Sequence, residues 1–354
     1  MIEYPYFAKY ITQSMDKNIR ICVVGPGAIG GVVAGVLMRK GFNIQLVTKY
    51  EELAEKISST GIEVSGYCGI FTQPIPSVAR IDQLDGVFDY VLIVTKGDAM
   101  VESAKTLLPY LHKNSRVVSM QNGICEELLA EVVGEKRTIG CVVGWGGTMH
   151  APGKVEMTSG GECVLGNWNR EQDEELERLS DIMENLIETR ISNDILSELY
   201  SKMIINSCIT TLGVCSGLYL GEIMKKRRAR IIFIEIIREA IMVAGAMGIK
   251  VAPGARGKLD FYKFVAPGFL ANFKTHLTIR VIGVKYRKLK SSSLQSLKRG
   301  RKTEVNNYNG YIASKGREFN IPTPVNEQLT RMVHEIEEGQ REIGLSNFHD
   351  VQLS

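Results

Sequence analysis

The sequence predicts an α/β protein: a doubly wound, mostly parallel sheet at the N-terminal end, followed by an all-helical domain. Three observations predict it. The run Ile21, Cys22, Val23, Val24 reads as a buried parallel strand, because both faces of such a strand are covered. It leads into Gly25-Pro-Gly27-Ala28-Ile29-Gly30-Gly31 and then a helical stretch over 28–40, the strand–turn–helix context that a dinucleotide-binding Gly-x-Gly-x-x-Gly requires. Beyond residue 190 the pattern is helical almost throughout.

Each glycine of the turn has a physical task. Gly25 permits the tight turn, Gly27 lets backbone N–H groups approach a pyrophosphate, and Gly30 lets the helix pack closely on the strand. The free N–H groups and positive dipole at the helix start, at Ala28 and Ile29, then hold the phosphates. The first domain is therefore expected to be Rossmann-type. Its second strand, 42–47, ends in Val47-Thr48-Lys49. NAD-preferring proteins carry an acid there for the ribose 2′-OH. No carboxylate is present, and Lys49 can pair with a 2′-phosphate, so NADPH is expected over NADH. The plain alternative is a solvated loop lysine.

The chain continues with β segments at 62–65 and 70–73 and a buried strand at 89–94 that closes on Thr95-Lys96-Gly97. Ligands of doubly wound sheets lie beyond the carboxyl ends of the strands, which makes Lys96 a candidate. A helix over 101–111 and a strand over 116–120 follow. That strand ends in Gln121-Asn122-Gly123 and puts Asn122 at a second strand end. A helix at 126–133, a strand at 138–144, short strands about a glycine turn at 153–157 and 163–166, and a charged helix at 171–188 complete the first domain. Helices are then expected over 194–211, 221–247, 272–284, 292–318 and 326–339. The expected organisation is an N-terminal extension, 1–18, packed on an NADPH-binding domain, 19–190, and a helical substrate and catalytic domain, 191–354. The active site is expected in the cleft between the two domains.

Bulk properties exclude several classes. A length of 354 residues suits two domains with a core each, and a net charge of +4 is too small to argue for nucleic acid. The seven cysteines are odd in number, form no Cys-x-x-Cys and lie mostly in apolar contexts, which fits a reduced cytoplasmic protein better than a disulfide scaffold or zinc site. The five histidines are isolated, so no metal is expected. No signal peptide is visible. The apolar stretch 231–249 carries Glu235, Arg238 and Glu239, so it reads as a core helix and not a membrane span; whether part of it serves a homodimer interface stays open. The segment 285–302 holds eight basic residues and no acid, and Lys225-Lys-Arg-Arg-Ala-Arg230 is a second basic cluster. With sparse aromatics and no nucleic-acid motif, both read as solvated faces whose field favours an anionic substrate and cofactor. Trp145-Gly-Gly-Thr148 either lines the cleft or belongs to the core.

Lys202, Asn206 and Thr210 recur every four residues in the first helix of the second domain, a spacing that places them on one face. Among Met203, Ile204, Ile205 and Ile209 they are either satisfied buried polar groups or a functional row. The ordered set Gly25-Pro-Gly-Ala-Ile-Gly30, Lys96, Gln121-Asn122-Gly123, Lys202-x-x-x-Asn206, Ser291-Ser292-Ser293-Leu294-Gln295, Thr303-Glu304 and Ile321-Pro-Thr-Pro-Val-Asn326 resembles the ketopantoate reductases (2-dehydropantoate 2-reductases) over most of the chain.

The resemblance implies NADPH-dependent reduction of a 2-oxo acid, ketopantoate to pantoate in pantothenate biosynthesis, and a helical domain like the C-terminal part of 6-phosphogluconate dehydrogenase. Lys202 matches the general acid, and Glu304 a residue that orients substrate and lysine and borders the cofactor. Asn206 matches a ligand of the substrate hydroxyl, and Ser292 a ligand of its carboxylate. Asn122 and Lys96 match residues lining cofactor and cleft, and Lys49 falls where members carry an arginine for the 2′-phosphate. Such a reduction develops negative charge on the carbonyl oxygen, which a nearby acid or cation stabilises. Ser292 is expected at a helix N-cap, where N–H groups help hold a carboxylate. Thr210, Leu220 and Leu289 stand where members that reduce ketopantoate carry more polar side chains, asparagine in the case of Thr210. A bulkier or less polar 2-oxo acid is therefore the alternative substrate, and a non-catalytic NADPH sensor the alternative function.

Overall fold

The computed structural model describes residues 18–353; the predicted extension, 1–18, lies outside them except for Asn18. The described chain forms two compact units, one of 18–121 with Cys125–Ile195, the other of Asn122–Ile124 with 196–353.

The first unit contains strands β1 (Arg20–Val24), β2 (Asn43–Val47), β3 (Ile62–Gly66), β4 (Phe71–Gln73), β5 (Ser77–Val78), β6 (Phe88–Ile93), β7 (Leu111–Ser119), β8 (Thr138–Val143), β9 (Gly146–Ala151), β10 (Lys154–Ser159), β11 (Cys163–Asn167) and β12 (Thr189–Ile191). Its helices are α1 (Ala28–Arg39), α2 (Glu51–Ser59), α3 (Met100–Leu107), α4 (Glu126–Val133) and α5 (Glu174–Glu184). Eight strands form one sheet in the order β12-β11-β8-β7-β6-β1-β2-β5. All neighbours pair parallel except β11 with β8. From β1 the chain builds outward through β2 to β5, then returns to β6 on the other side of β1 and builds outward through β7 to β8. The switch point therefore lies at the carboxyl ends of β1 and β6, where such sheets bind ligands. Ile21, Cys22 and Val23 are fully buried, as a strand covered on both faces requires.

A second sheet, ordered β4-β3-β10-β9, covers the far side of α1. Its closeness depends on two glycines. A Cβ on Gly31 would sit 2.8 Å from Ile62 Cδ1 and 2.9 Å from Val155 Cγ1, and one on Gly35 would sit 2.7 Å from Val64 Cγ2. With a sheet on either side, α1 is buried from Gly30 to Leu37, which explains why its sequence is apolar all round.

Several boundaries differ from the sequence reading. The partner of β10 across the Gly153 turn is β9, which takes in Gly146, Gly147 and Thr148; the 163–166 strand instead lies antiparallel to β8. The helix expected over 101–111 stops at Leu107 in a 3-10 turn, Leu108–Tyr110, whose Pro109 has no N–H to continue the ladder, and Leu111 already begins β7. β5 and β12, of two and three residues, are too short to carry a period.

The second unit is helical: α6 (Ile195–Ser216), α7 (Leu220–Lys225), α8 (Arg227–Ala246), α9 (Gly254–Gly257), α10 (Phe261–Phe264), α11 (Phe269–Lys285), α12 (Ser292–Lys298), α13 (Asn309–Glu318), α14 (Pro324–Glu337) and α15 (Asn347–Asp350). α6 is its spine. Tyr200 donates to Ala240 O on α8 at 2.9 Å, Thr211 to Asn309 Oδ1 on α13 at 2.5 Å, and Cys215 O accepts Asn347 Nδ2 of α15 at 2.8 Å. A buried polar network fastens the other helices. Glu239 accepts the Val325 and Asn326 N–H groups at 2.8 and 2.9 Å, and Asn326 Nδ2 at 2.6 Å, while Asn309 donates to Asn326 Oδ1 at 2.8 Å. The Glu239 carboxylate thus caps the N-terminus of α14, and the 321–326 motif has a structural role. Burial pushes the Glu239 carboxyl above its usual range, opposed in part by those N–H donors. Among the described residues, no helix is long and apolar enough to cross a membrane.

The helix expected over 221–247 is broken at Lys226, whose backbone is extended. The one expected over 292–318 is broken more fully. Gly300 has φ +67°, its N–H reaches Leu297 O at 2.9 Å, and the Arg301 N–H reaches Ser296 O at 3.0 Å. Those two bonds are a Schellman stop for α12. The chain resumes in a 3-10 turn, Val305–Asn307, before α13. Glu304 consequently lies in the break, not on a long helix.

Candidate active site

At the switch point, Gly25 has φ +110°, and its N–H bonds Val47 O at 3.0 Å. A Cβ there would stand 3.1 Å from the Val94 carbonyl, and one on Gly30 would stand 2.0 Å from Gly25 O. The inner side of the turn is therefore closed by backbone. Gly27 is the N-cap of α1, and nothing lies within 4 Å of the position its Cβ would occupy. The N–H groups of Ala28, Ile29 and Gly30 head a helix of 12 residues with no acid in its first turn, and by position they have no intrahelical acceptor. An open glycine cap beneath such N–H groups fits a pyrophosphate. Ala28 and Ile29 are braced by Gly147 of β9, whose Cβ would come within 3.3 and 3.2 Å of them.

At the end of β2, Thr48 is buried and its hydroxyl reaches Val78 O at 3.2 Å, while Lys49 is exposed. Glu51, the next acid, accepts Gln83 Nε2 at 2.9 Å and lies 3.8 Å from Arg80. Lys96 is exposed just beyond β6. Gln121 is buried and donates to Thr95 O at 3.0 Å, tying the end of β7 to that of β6. Trp145 belongs to the core cluster of this unit, and its indole N–H has no hydrogen-bond partner among the described residues.

In the second unit, Lys202, Ile205, Asn206 and Ile209 are half-buried, whereas Met203, Ile204, Ser207 and Cys208 are buried. One accessible stripe thus runs along α6 and carries Lys202 and Asn206. Thr210 has left it. It is 6 % exposed, its hydroxyl donates to Asn206 O at 2.7 Å, and its carbonyl accepts Ser291 Oγ at 2.8 Å. The expected single row of three fails because a four-residue step overshoots a helical turn by about 40°, so two steps rotate the side chain by about 80°.

Glu304 and Asn122 are 182 residues apart in sequence, yet Asn122 Nδ2 lies 3.4 Å from Glu304 Oε2. Tyr308, fully buried, donates its hydroxyl to the same oxygen at 3.1 Å. Gly123 permits the approach, with φ +93° and a Cβ position 2.7 Å from Asn307 O. Nothing local in the sequence singles out Tyr308. It is a tyrosine four residues after Glu304, inside a stretch expected to form one continuous helix.

The expectation for Ser292 needs correction. The N-cap of α12 is Ser291, whose Oγ accepts the Leu294 N–H at 3.1 Å; Ser292 is the first helical residue and is exposed. Gly213 decides this, since its Cβ would stand 2.4 Å from Ser291 Cβ, and the missing side chain lets Ser291 sink against α6. Leu220 is buried and bonds through its N–H to the carbonyl of exposed Leu289 at 3.0 Å. The candidate residues therefore fall into three groups, the glycine turn with Lys49 and Lys96, Lys202 with Asn206, and Asn122 with Glu304 and Tyr308, while Thr210 is buried and Ser292 is exposed on α12 apart from them.

A family model described as ketopantoate reductase PanE/ApbA matches residues 21–170, and its C-terminal counterpart matches 194–337. The chain belongs to the ketopantoate reductase family. This family consists of oxidoreductases that act on CH–OH groups, and membership supports a 2-oxo acid reductase. The 2-dehydropantoate 2-reductase of Pyrococcus abyssi is 26% identical over 317 residues, covering 89% of this chain and 97% of that protein. The fold is shared with solved structures. A PanE/ApbA family ketopantoate reductase from Ralstonia eutropha JMP134 superposes with TM-score 0.77 at 24% identity, over 92% of this chain and 100% of that one. D-mandelate dehydrogenase, solved with NADH and anilino(oxo)acetate, superposes with TM-score 0.76 at 20% identity, over 91% and 99%. Family members of known structure thus share the architecture of this ketopantoate reductase family chain at low sequence identity.

Proposed function

We propose that this member of the ketopantoate reductase family reduces a 2-oxo acid with NADPH, ketopantoate to pantoate being the first assignment, as a cytoplasmic step of pantothenate biosynthesis. One observation carries the reading: Lys202 and Asn206 share the accessible stripe of α6, in the unit that also holds the Glu304–Tyr308–Asn122 cluster. A protein that only bound cofactor would need neither the lysine nor the carboxylate.

When bound, the nicotinamide supplies the hydride that reduces the substrate carbonyl carbon. Gly25, Gly27, Ala28, Ile29 and Gly30 would hold the pyrophosphate, and Lys49 the 2′-phosphate, with Lys96 and Asn122 along the cofactor. Lys202 donates the proton to the carbonyl oxygen, and its ammonium offsets the charge that builds there. Asn206, one turn further along the stripe, hydrogen-bonds the substrate hydroxyl. Both bonds to Glu304 fall on Oε2 and hold that oxygen, which leaves Oε1 for substrate and lysine. Ser292, exposed on the first turn of α12, would take the substrate carboxylate.

A second reading, a bulkier or less polar 2-oxo acid, is favoured by Thr210 and Leu220. The Thr210 hydroxyl proton is committed to Asn206 O, and Leu220 is buried and offers no polar side chain. The D-mandelate dehydrogenase complex with anilino(oxo)acetate lends it support. The deciding experiment follows NADPH and NADH oxidation by absorbance with ketopantoate beside a panel of larger 2-oxo acids. Selective turnover of ketopantoate with NADPH supports the first reading. Faster turnover of a larger acid moves the substrate and keeps the chemistry. If Lys202→Ala binds NADPH normally but loses turnover by about 10²–10⁴-fold, the general-acid role stands; unchanged turnover rejects it.

A further inference from the structure

Helix α11 is apolar on two opposite faces, and the unit that contains it covers only one of them. Thr275, Ile279 and Gly283 are buried. A Cβ on Gly283 would stand 2.5 Å from Met224 Cβ of α7, so this face is packed as tightly as a helix pair permits. On the other side Leu270, Phe273, Leu277, Val281 and Val284 are 72, 62, 52, 60 and 70 % exposed, and Phe269 at the edge is 86 % exposed. Exposed apolar patches beyond a few hundred Å² mark interaction sites. The spacing of the five is 3, 4, 4, 3, that of a coiled-coil seam.

We infer that this face of α11 is a two-fold interface with a second copy of the same chain. The stripe reads the same in both directions about Leu277. Laid antiparallel on itself, α11 places Leu277 against its symmetry mate, Leu270 against Val284 of the other copy, and Phe273 against Val281 of the other copy. A larger side chain thus meets a valine at the two levels on either side of the Leu277 pair, an arrangement that allows interdigitation. Such self-complementarity is what an isologous contact requires. The six exposed side chains present on the order of 600 Å² per copy, hence on the order of 1,200 Å² for a pair, the lower bound of a specific stable interface.

Charge bears on the choice of occupant. No acid occurs between Asp260 and Glu304. An anionic surface would therefore be attracted to this region, but attraction does not account for a stripe symmetric about one residue. Lys274, Arg280 and Lys285 lie about 60–80° round the helix from the midline of the stripe, where their stems can border a seam while their charges stay in water.

The test uses the full chain. Light scattering during gel filtration at micromolar concentration is expected to give twice the chain mass. Leu277→Glu puts two carboxylates on the symmetry axis and is expected to halve that mass. Leu277→Cys, oxidised, is expected to give a covalent dimer, whereas Thr278→Cys, about 100° round the helix, is not. The native cysteines are all buried and do not compete. Leu277 is exposed, so neither substitution disturbs packing within the chain, and the crosslink reads the contact even if the glutamate variant folds poorly. A monomeric wild type, a Leu277→Cys variant that does not crosslink, or a monomer that instead sediments with phosphatidylglycerol vesicles through this face would overturn the inference.

Discussion

The Tyr308 hydroxyl donates to Glu304 Oε2 at 3.1 Å from a fully buried ring, so the carboxylate is held by a group that cannot turn away. Tyr308→Phe removes this bond at a stability cost of about 1 kcal/mol. Tyr308 acts through Glu304, as a positioning residue. The variant is expected to lower kcat about tenfold, equivalent to about 1.4 kcal/mol, while leaving NADPH affinity unchanged. A stopped-flow and titration pair checks both halves. Unchanged kcat would show that Glu304 needs no such support.

Gly27 and Gly30 should separate binding from folding. A Cβ on Gly27 meets nothing within 4 Å, so Gly27→Ala is expected to melt close to wild type yet bind NADPH at least tenfold more weakly, because the methyl group enters the space left for the pyrophosphate. A Cβ on Gly30 would collide with Gly25 O at 2.0 Å, so Gly30→Ala is expected to lower Tm sharply or to leave the protein insoluble. Thermal melts with and without cofactor distinguish the two. Equal affinity in Gly27→Ala would remove the phosphate assignment.

Lys49 is exposed at the end of β2 and no carboxylate lies beside it in sequence before Glu51. Lys49→Glu is expected to shift the ratio of kcat/KM for NADPH over NADH by at least tenfold toward NADH, since the new carboxylate repels the 2′-phosphate and can accept from the 2′-OH. If both cofactors respond equally to the change, the lysine is only a solvated loop residue.

Asp173 links β7 to α5. Its Oδ2 accepts Arg116 Nη2 at 2.7 Å and its Oδ1 accepts the Leu176 N–H at 2.9 Å. Burial raises its carboxyl, but the Arg116 and Leu176 donors outweigh burial and hold it below the usual carboxylate range. A folded value below the unfolded one means that the stabilisation is present at neutral pH and lost as pH falls through the ordinary carboxylate range toward the lowered folded value. Asp173→Asn keeps a capping oxygen and is expected to cost about 2 kcal/mol at neutral pH. In urea titrations that deficit should vanish at low pH; a constant deficit would assign the effect to the cap alone.

The glycine turn, the succession of buried strands and the candidate residues at their carboxyl ends were legible because their signals are local. A glycine at positive φ, an apolar run and a strand–turn–helix order are written in neighbouring residues. The break between α12 and α13 was less legible. Its stop signal, Gly300 between basic residues, is one glycine in a stretch whose periodicity otherwise favours a helix. Thr210 leaves the row of Lys202 and Asn206 because a four-residue step is more than one helical turn. Ser291 and Ser292 could not be told apart, since the choice rests on Gly213, far away in sequence.

By itself the sequence determined the class of the first unit and the glycine turn after its first strand, and it singled out the residues proposed here for cofactor binding and reduction. Tertiary structure alone decided which of them meet. The Asn122–Glu304 contact spans 182 residues, and it exists because Gly123 and the Schellman stop at Gly300 bring two backbones together. Local sequence sets φ, ψ and solvent preference residue by residue. Which side chains then share a site depends on where helices end and how closely they pack, and that is settled by contacts between residues distant in the chain.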